Sequence, residues 1–534
     1  LKNLWHRSGI RLAALGAAAA MAITGCASAD GQTDDGGASV TTGLVNIAGE
    51  AGDPVRGGTV TFGSYSFPNV LDPTKTQAAG STGGTEMAAI YDTLLRTDPE
   101  SGEFEPQLAQ SLAHNADYTE FTLTLRDGAT FSDGSPVDAE AVKWSIDRFV
   151  AARADVSQVW SNSVTTIGTP DAKTVTFTLN TPWDRFPVLL AMGPGMVVSK
   201  NSDADGRFTP IGAGPFTVTR FAPNEEIVLS AREDYWNGRP NLDKVRFVPT
   251  NGARGQFESL QSGQLDMAYI LRDEAAIRDT LNAGYSGYLD VQGLGALGMM
   301  NTREGRPGAD LRVRQAIAYG VDPQAINQRA NEGLGIASST ILPDSSRWTS
   351  GAEGIEFDPD RARKFLDEAK ADGYDGKLTY LATTEKSAEA AALATQASLN
   401  SIGFDVRVEY VNSVTDLVRK LYVEHDFDMT RAAFAFMDES PYLRLHGGLG
   451  SDSRNNAAGY SDPQMDALLV EVKTATSDDA KKETIAKVQA RANETIPYAV
   501  WGPSKVFAAW DGEIHGMKRT ADNILLLDQA WIGK

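Results

Sequence analysis

The chain has 534 residues, 42% of them hydrophobic and 22% charged, which is enough for more than one hydrophobic core, since single domains run to about 100–200 residues. Its 49 basic residues stand against 70 acidic ones, a net charge of −21, which argues against nucleic acid as the main partner and for a soluble, self-repelling surface. The 51 Gly and 23 Pro are spread along the chain, so they read as turns between many elements and not as one disordered block.

The first element is a leader. Lys2, Arg7 and Arg11 form a positive start, Leu12 to Ile23 is a short Ala-rich apolar run, and Ile23-Thr24-Gly25-Cys26 follows. About 12 apolar residues are too few for a comfortable membrane span but suit a secretory signal peptide. The chain has one cysteine, and an odd cysteine in a secreted protein calls for an explanation. The Ile-Thr-Gly-Cys ending resembles a bacterial lipobox, which implies cleavage before Cys26 and lipidation of its thiol. Residues 1–25 are thus expected to be a lipoprotein signal peptide. Residues 26–56, small and polar, are expected to be a flexible tether that cannot bury enough apolar surface to fold. No other stretch reaches about 18 uninterrupted apolar residues.

Folded structure is expected from Gly57-Gly58-Thr59-Val60-Thr61-Phe62-Gly63 onward. Phe121, Leu123 and Leu125 alternate with Thr122 and Thr124, and Val175, Phe177 and Leu179 repeat the pattern; both predict half-buried strands. Between them Asp138 has the position of an N-cap, with Val142, Ile146, Phe149 and Val150 on one helical face. Asp358-Pro359 and Asp462-Pro463 each pair a cap with Pro at the first helical position. Ala362, Phe365, Leu366 and Ala369 follow the first, and Met465, Leu468, Leu469 and Val472 the second. A helix over about 387–402 stops at Gly403, after which Phe404, Val406, Val408 and Tyr410 alternate as a strand. Such a mixture predicts an α/β or α+β protein of at least two lobes.

Catalytic signals are missing. His6, His114, His425, His446 and His515 are dispersed, with no metal-ligand spacing and no cysteine pair, so no metal and no cofactor are expected. His446 is the one histidine to watch as a ligand contact, against the plainer reading of a surface-loop residue. Gly293-Leu294-Gly295-Ala296-Leu297-Gly298 matches a dinucleotide pattern, but no amphipathic helix follows to cradle a pyrophosphate; it reads as a glycine-rich crossing strand. No nucleophile elbow or P-loop is present. Paired carboxylates could cleave glycosides, but among 70 acids their proximity carries no weight. A binder is more economical than an enzyme.

From about Gly57 to Lys518 the chain resembles the bacterial extracellular solute-binding proteins of family 5, the dipeptide, oligopeptide and nickel receptors of ABC importers. The most specific block is Leu125-Arg126-Asp127-Gly128-Ala129-Thr130-Phe131-Ser132-Asp133-Gly134-Ser135-Pro136, running on to Glu140. Val70-Leu71-Asp72-Pro73, Tyr91-Asp92-Thr93-Leu94-Leu95, Gly212-Ala213-Gly214-Pro215-Phe216, Tyr235-Trp236, Asp310-Leu311-Arg312-Val313-Arg314 and Asn456-Ala457-Ala458-Gly459-Tyr460 continue it in order. The resemblance implies an α/β, two-lobed Venus-flytrap fold with an enlarged first lobe. Lobe I would be 57–292 with 500–534 returning to it, and lobe II would be 293–499. It also implies a monomer outside the cytoplasm, anchored by lipid to the outer face of the membrane or on its periplasmic side, that closes on a solute and passes it unaltered to the permease subunits of an ABC transporter. A peptide is the expected ligand; a nickel complex, haem, an opine or an oligosaccharide is the alternative, and a hydrolase the remote one.

In peptide-binding relatives an Asp late in the second lobe pairs with the ligand's ammonium, and the matching residue here is Asp438, beside Phe434, Phe436 and Met437. The sequence departs from the pattern there: Phe replaces Trp, the spacing differs by about one residue, and Ser440 stands in place of a second Asp. The region that supplies a carboxylate-binding Arg in the dipeptide receptor has only Lys386. Tyr65, Ser66, Thr82, Gly83 and Asn301 complete the expected ligand contacts.

Overall fold

A computed structural model describes residues 41–533 apart from 48, 50, 51, 78, 99, 205 and 412. The signal segment 1–25, Cys26 and the tether as far as residue 40 lie outside the described residues. Residues from Thr41 onward form one compact unit.

An eleven-stranded mixed sheet runs through it. Ten strands follow in the spatial order Asp405–Val411, Lys377–Thr383, Met429–Ala432, Ser286–Met300, Tyr498–Trp510, Met267–Leu271, Thr59–Ser64, Lys244–Pro249, Glu226–Ala231 and Phe216–Ala222. The two long central strands, Ser286–Met300 and Tyr498–Trp510, pair antiparallel along nearly their whole length, and their register shifts between Gln292 and Ala296 and again before Leu297. On one side of that break the neighbouring strands come from the N-terminal half of the chain; on the other they come from residues 377–432. The sheet therefore divides into two lobes joined by two strands at an irregularity, where bending costs least. A separate four-stranded antiparallel sheet, Ala109–His114, Glu120–Leu125, Thr174–Leu179 and Val164–Asp171, enlarges the first lobe.

The glycines of 293–298 are explained by close packing. A Cβ on Gly295 would collide with the backbone nitrogen of Ser504 on the paired strand, and one on Gly298 would sit 2.8 Å from the ring of Trp501. The stretch is a crossing strand, as its composition suggested.

Local signals are reproduced where one face is buried. Phe121, Leu123 and Leu125, and likewise Val175, Phe177 and Leu179, point into the core of the smaller sheet. Asp138 accepts from the Ala141 amide to cap Ala139–Ala151; Asp358 and Asp462 cap Pro359–Ala371 and Pro463–Thr474 in the same way. The alternation from Phe404 holds only in part: the strand is Asp405–Val411, and Val411 is buried while Tyr410 is 40% exposed. This is an edge strand of the sheet, paired on one side only, with Lys377–Thr383, so its facing is less tightly imposed than that of a central strand.

Part of the segment expected as tether is ordered. Gly43–Val45 adds as a strand to Ser286–Met300, with Leu44 opposite Tyr288. Thr42 Oγ1 accepts from the Val291 amide at 3.0 Å, Asn46 donates to the carbonyls of Leu281 and Tyr285, and Ser286 donates to the Asn46 carbonyl. The edge of a hinge-bearing strand offers unpaired backbone groups, and a polar segment satisfies them without needing a core of its own. Among the described residues no helix is long and apolar enough to cross a membrane.

Candidate ligand-binding site

Between the lobes lies a cavity of about 200 Å³. Its first-lobe wall is the connection after Ala139–Ala151, residues 153–156, and the start of the short helix Ser157–Ser163, with Met192 beneath. Its second-lobe wall is Phe434, Met437, the helix Pro441–Leu449 and the loop 453–455. Ser440-Pro441 starts that helix, and helical spacing then carries Arg444 and Gly447, one turn apart, to the cavity side. Apolar lining comes from Phe434, Met437, Leu443, Val159 and Met192, while eight of the sixteen lining residues are polar or charged, so the walls suit a guest that brings polar groups of its own.

The ionic groups are unevenly satisfied. Arg444 pairs through Nη2 with Asp522 of the first lobe, yet its Nε has no partner among the described residues. Burial works against the Arg444 charge, but Asp522 and Asp155 hold its pKa above the ordinary value. Asp155 Oδ1 accepts from the Val156 amide at 2.9 Å, while its buried Oδ2 has no partner. His446 is 7% exposed and meets Asp452 at 2.8 Å through Nε2; it sits in a helix facing the cavity and not in a surface loop.

Around the cavity the lobes are already in contact. Glu439 of the second lobe pairs with Arg519 of the first at 2.8 Å, both side chains only 7% exposed. The Glu439 carbonyl accepts from Arg185 Nε at 2.8 Å, Lys481 meets Asp184 at 2.6 Å, and Gln158 donates to the Asp452 carbonyl at 2.6 Å. This is a closed arrangement, with buried charges paired across the seam.

Of the residues expected at the ligand, the structure brings Phe434 and Met437 to the cavity; the others stand elsewhere. Asp438 turns away from it: Oδ1 accepts from Ser346 Oγ at 2.6 Å, Oδ2 from the Arg347 amide at 3.0 Å, and its carbonyl from Trp348 Nε1. The cause lies three residues earlier, where Ala435 adopts φ +50° and breaks the strand alternation that would have aimed residue 438 at the cleft. Burial raises the Asp438 pKa to about 6 against the hydrogen bonds from Ser346 and Arg347, with Glu439 and Asp290 adding to the rise. Phe436 is core, its amide bonded to the Gly293 carbonyl. Asn301 is fully buried and donates to the carbonyls of His425 and Phe427, so it locks the end of the crossing strand and has no group left for a ligand. Thr82 bonds the Gln77 and Ala79 carbonyls, and Gly83 serves at φ +102° as the N-cap of Gly84–Tyr91. Tyr65 lies under Arg272 with 5.8 Å from guanidinium to ring, Ser66 is exposed, and Lys386 pairs with Glu332 at the surface.

Arg153, Asp155, Arg444 and Arg454 had no sequence signal, because their juxtaposition joins segments about 300 residues apart. One trace was local: Val156 is a β-branched residue at φ +56°, a conformation that persists only where its surroundings impose it. Among the described residues no group of His, Cys, Asp and Glu is arranged to hold a metal ion.

Comparison with known proteins gives a consistent picture. The chain is 26% identical over 442 residues to the "Probable D,D-dipeptide-binding periplasmic protein DdpA" of Escherichia coli K12, covering 79% of this chain and 84% of the relative. Among solved structures it is similar to AgaA from A. tumefaciens R10 in complex with agropinic acid, with a TM-score of 0.75 and 26% identity over 89% of this chain and 99% of that one. It is equally similar in fold to DppA from Helicobacter pylori in complex with the peptide STSA, with a TM-score of 0.75 and 22% identity over 90% and 99% of the two chains. The profile described as "Bacterial extracellular solute-binding proteins, family 5 Middle" matches residues 103–456, more than half of the chain. The protein belongs to the bacterial extracellular solute-binding proteins of family 5.

Proposed function

We propose that this chain is the extracytoplasmic receptor of an ABC importer, that it captures a short peptide in the cavity between its lobes, and that it is tethered to the membrane by a lipid on Cys26. The observation that carries the reading is an interlobe cavity whose walls hold a carboxylate oxygen and a guanidinium N–H without partners. Buried polar atoms left without partners are costly, and the two free termini of a peptide would satisfy the donor and the acceptor at once. The volume of about 200 Å³ lies below the roughly 300–1,000 Å³ of drug-sized sites and favours a di- or tripeptide over a long chain. The named ligands of two relatives, a D,D-dipeptide and the peptide STSA, support the class.

In this reading lobe I is 57–292 with 500–534, lobe II is 293–499, and they hinge at the register break between Gln292 and Leu297. A ligand touching both walls favours the closed state by differential affinity, and the protein changes no bond in it. The likeness to the agropinic acid receptor supports a second reading, a small non-peptide acid in the same cavity. Mass spectrometry of ligand co-purified with the protein, followed by calorimetry against di- and tripeptides and X-ray scattering with and without them, tests the proposal. The expected result is tight peptide binding with a more compact particle. A retained sugar, haem, nickel complex or non-peptide acid, with no response to any peptide, would overturn the peptide assignment.

A further inference from the structure

The cavity's charges can be counted. Five ionisable side chains line it: Arg153 and Asp155 from the first lobe, and Arg444, His446 and Arg454 from the second. Arg444 is paired with Asp522, and His446 Nε2 is hydrogen-bonded to Asp452. Arg153 and Arg454 have no ion-pair partner among the described residues; the Arg454 amide is held by Gln158 Oε1 at 3.0 Å, which fixes its loop against the opposite lobe. Two unmatched cations on facing walls therefore stand beside one unmatched carboxylate. A guest carrying one positive and two negative groups would offset all three.

We infer that the ligand carries one ammonium and two carboxylates, the ammonium on Asp155 and the carboxylates between Arg153 and Arg454 with the free Nε of Arg444 at their inner end. The inference rests on the peptide reading for the ligand's backbone and specifies a short peptide with one acidic side chain. It also moves the ammonium site to the first lobe, since the carboxylate of Asp438 is already used by Ser346 and Arg347. Arg153 and Val156, on either side of Ala154 and Asp155, both adopt left-handed backbone, a conformation that persists only where the surroundings impose it.

The test is calorimetry on the full chain with Ala-Glu, its neutral isostere Ala-Gln, N-acetyl-Ala-Glu, and an amino dicarboxylate that has no peptide bond. Ala-Glu is expected to bind roughly tenfold or more tightly than Ala-Gln, with the margin narrowing at high salt because Arg153 and Arg454 are exposed. The R153Q/R454Q double variant, altered only at exposed positions, should bind both dipeptides alike. D155N should lose the preference for a free amine over N-acetyl-Ala-Glu. Equal binding of Ala-Glu and Ala-Gln, or a preference that survives R153Q/R454Q, overturns the inference and leaves the peptide reading standing. Binding of the dicarboxylate with no binding of either dipeptide does the reverse.

Discussion

Arg519→Met is the perturbation that most directly separates closure from folding. Arg519 is 7% exposed; its Nη1 meets Glu439 across the interlobe seam at 2.8 Å, its Nη2 lies 3.9 Å from Asp290 in its own lobe, and its guanidinium stacks 4.3 Å from the ring centre of Tyr288. Burial opposes the charge, but Glu439, Tyr288 and Asp290 hold the Arg519 pKa above its ordinary value. Two unit charges about 4 Å apart attract by about 4 kcal/mol at an effective dielectric near 20, and stripping one partner from a buried pair costs about 3–5 kcal/mol. Met keeps the packing of the aliphatic stem, so the change is one of charge. Glu439 regains water when the lobes part, so its share of the loss falls on closure, while the Asp290 share falls on the first lobe itself. Assigning about 2–3 kcal/mol to closure gives roughly 30- to 150-fold weaker ligand binding by calorimetry. Glu439→Gln should cost less than about tenfold, because an amide oxygen still accepts from Arg519 and the repulsion of Glu439 with Asp290 and Asp438 disappears. The double variant should bind no worse than Arg519→Met alone, since the two residues act through one contact. Losses that simply add, or an Arg519→Met protein that binds within about threefold of wild type, would refute the seam as the closing contact.

Glu86 is buried with one hydrogen bond, from Ser64 Oγ, and burial lifts its pKa from 4.5 to about 7. A carboxyl whose folded pKa is raised binds more protons in the native state between about pH 4.5 and 7, so stability falls as pH rises through that window. Glu86→Gln, which still accepts from Ser64, should raise thermal stability at pH 8 by an equivalent of about 2–3 kcal/mol and change little at pH 4.5; a variant less stable at both would contradict the assignment. Gly295→Ala forces a methyl into the Ser504 backbone and should destabilise by about 1–3 kcal/mol, seen as a lower unfolding midpoint. Removing the chain up to residue 47 exposes the Val291 amide that Thr42 now covers; hydrogen exchange at residues 287–291 should quicken, while amides of the second-lobe strand Met429–Ala432 stay unchanged. Faster exchange in both places would mean the segment supports the whole sheet and not the hinge edge alone.

The sequence determined the features that depend on near neighbours. Asp138, Asp358 and Asp462 each cap a helix because a short carboxylate reaches an amide two or three residues on, and the Phe121–Leu125 alternation is enough to aim a strand's face at a core. The ordered blocks from Gly57 to Tyr460 carried the family and with it the two-lobed fold. Tertiary structure decided the rest. The segment at 41–47 looked unfoldable because it has no core of its own, and it is ordered only because an open strand edge lies beside it. Asp438 looked like the ligand's partner until Ala435, at φ +50°, turned it toward Ser346. Arg153, Asp155, Arg444 and Arg454 are ordinary surface types in the sequence. They come together only because the fold sets residues about 300 positions apart around one cavity, and long-range juxtaposition of charge leaves no periodicity to read.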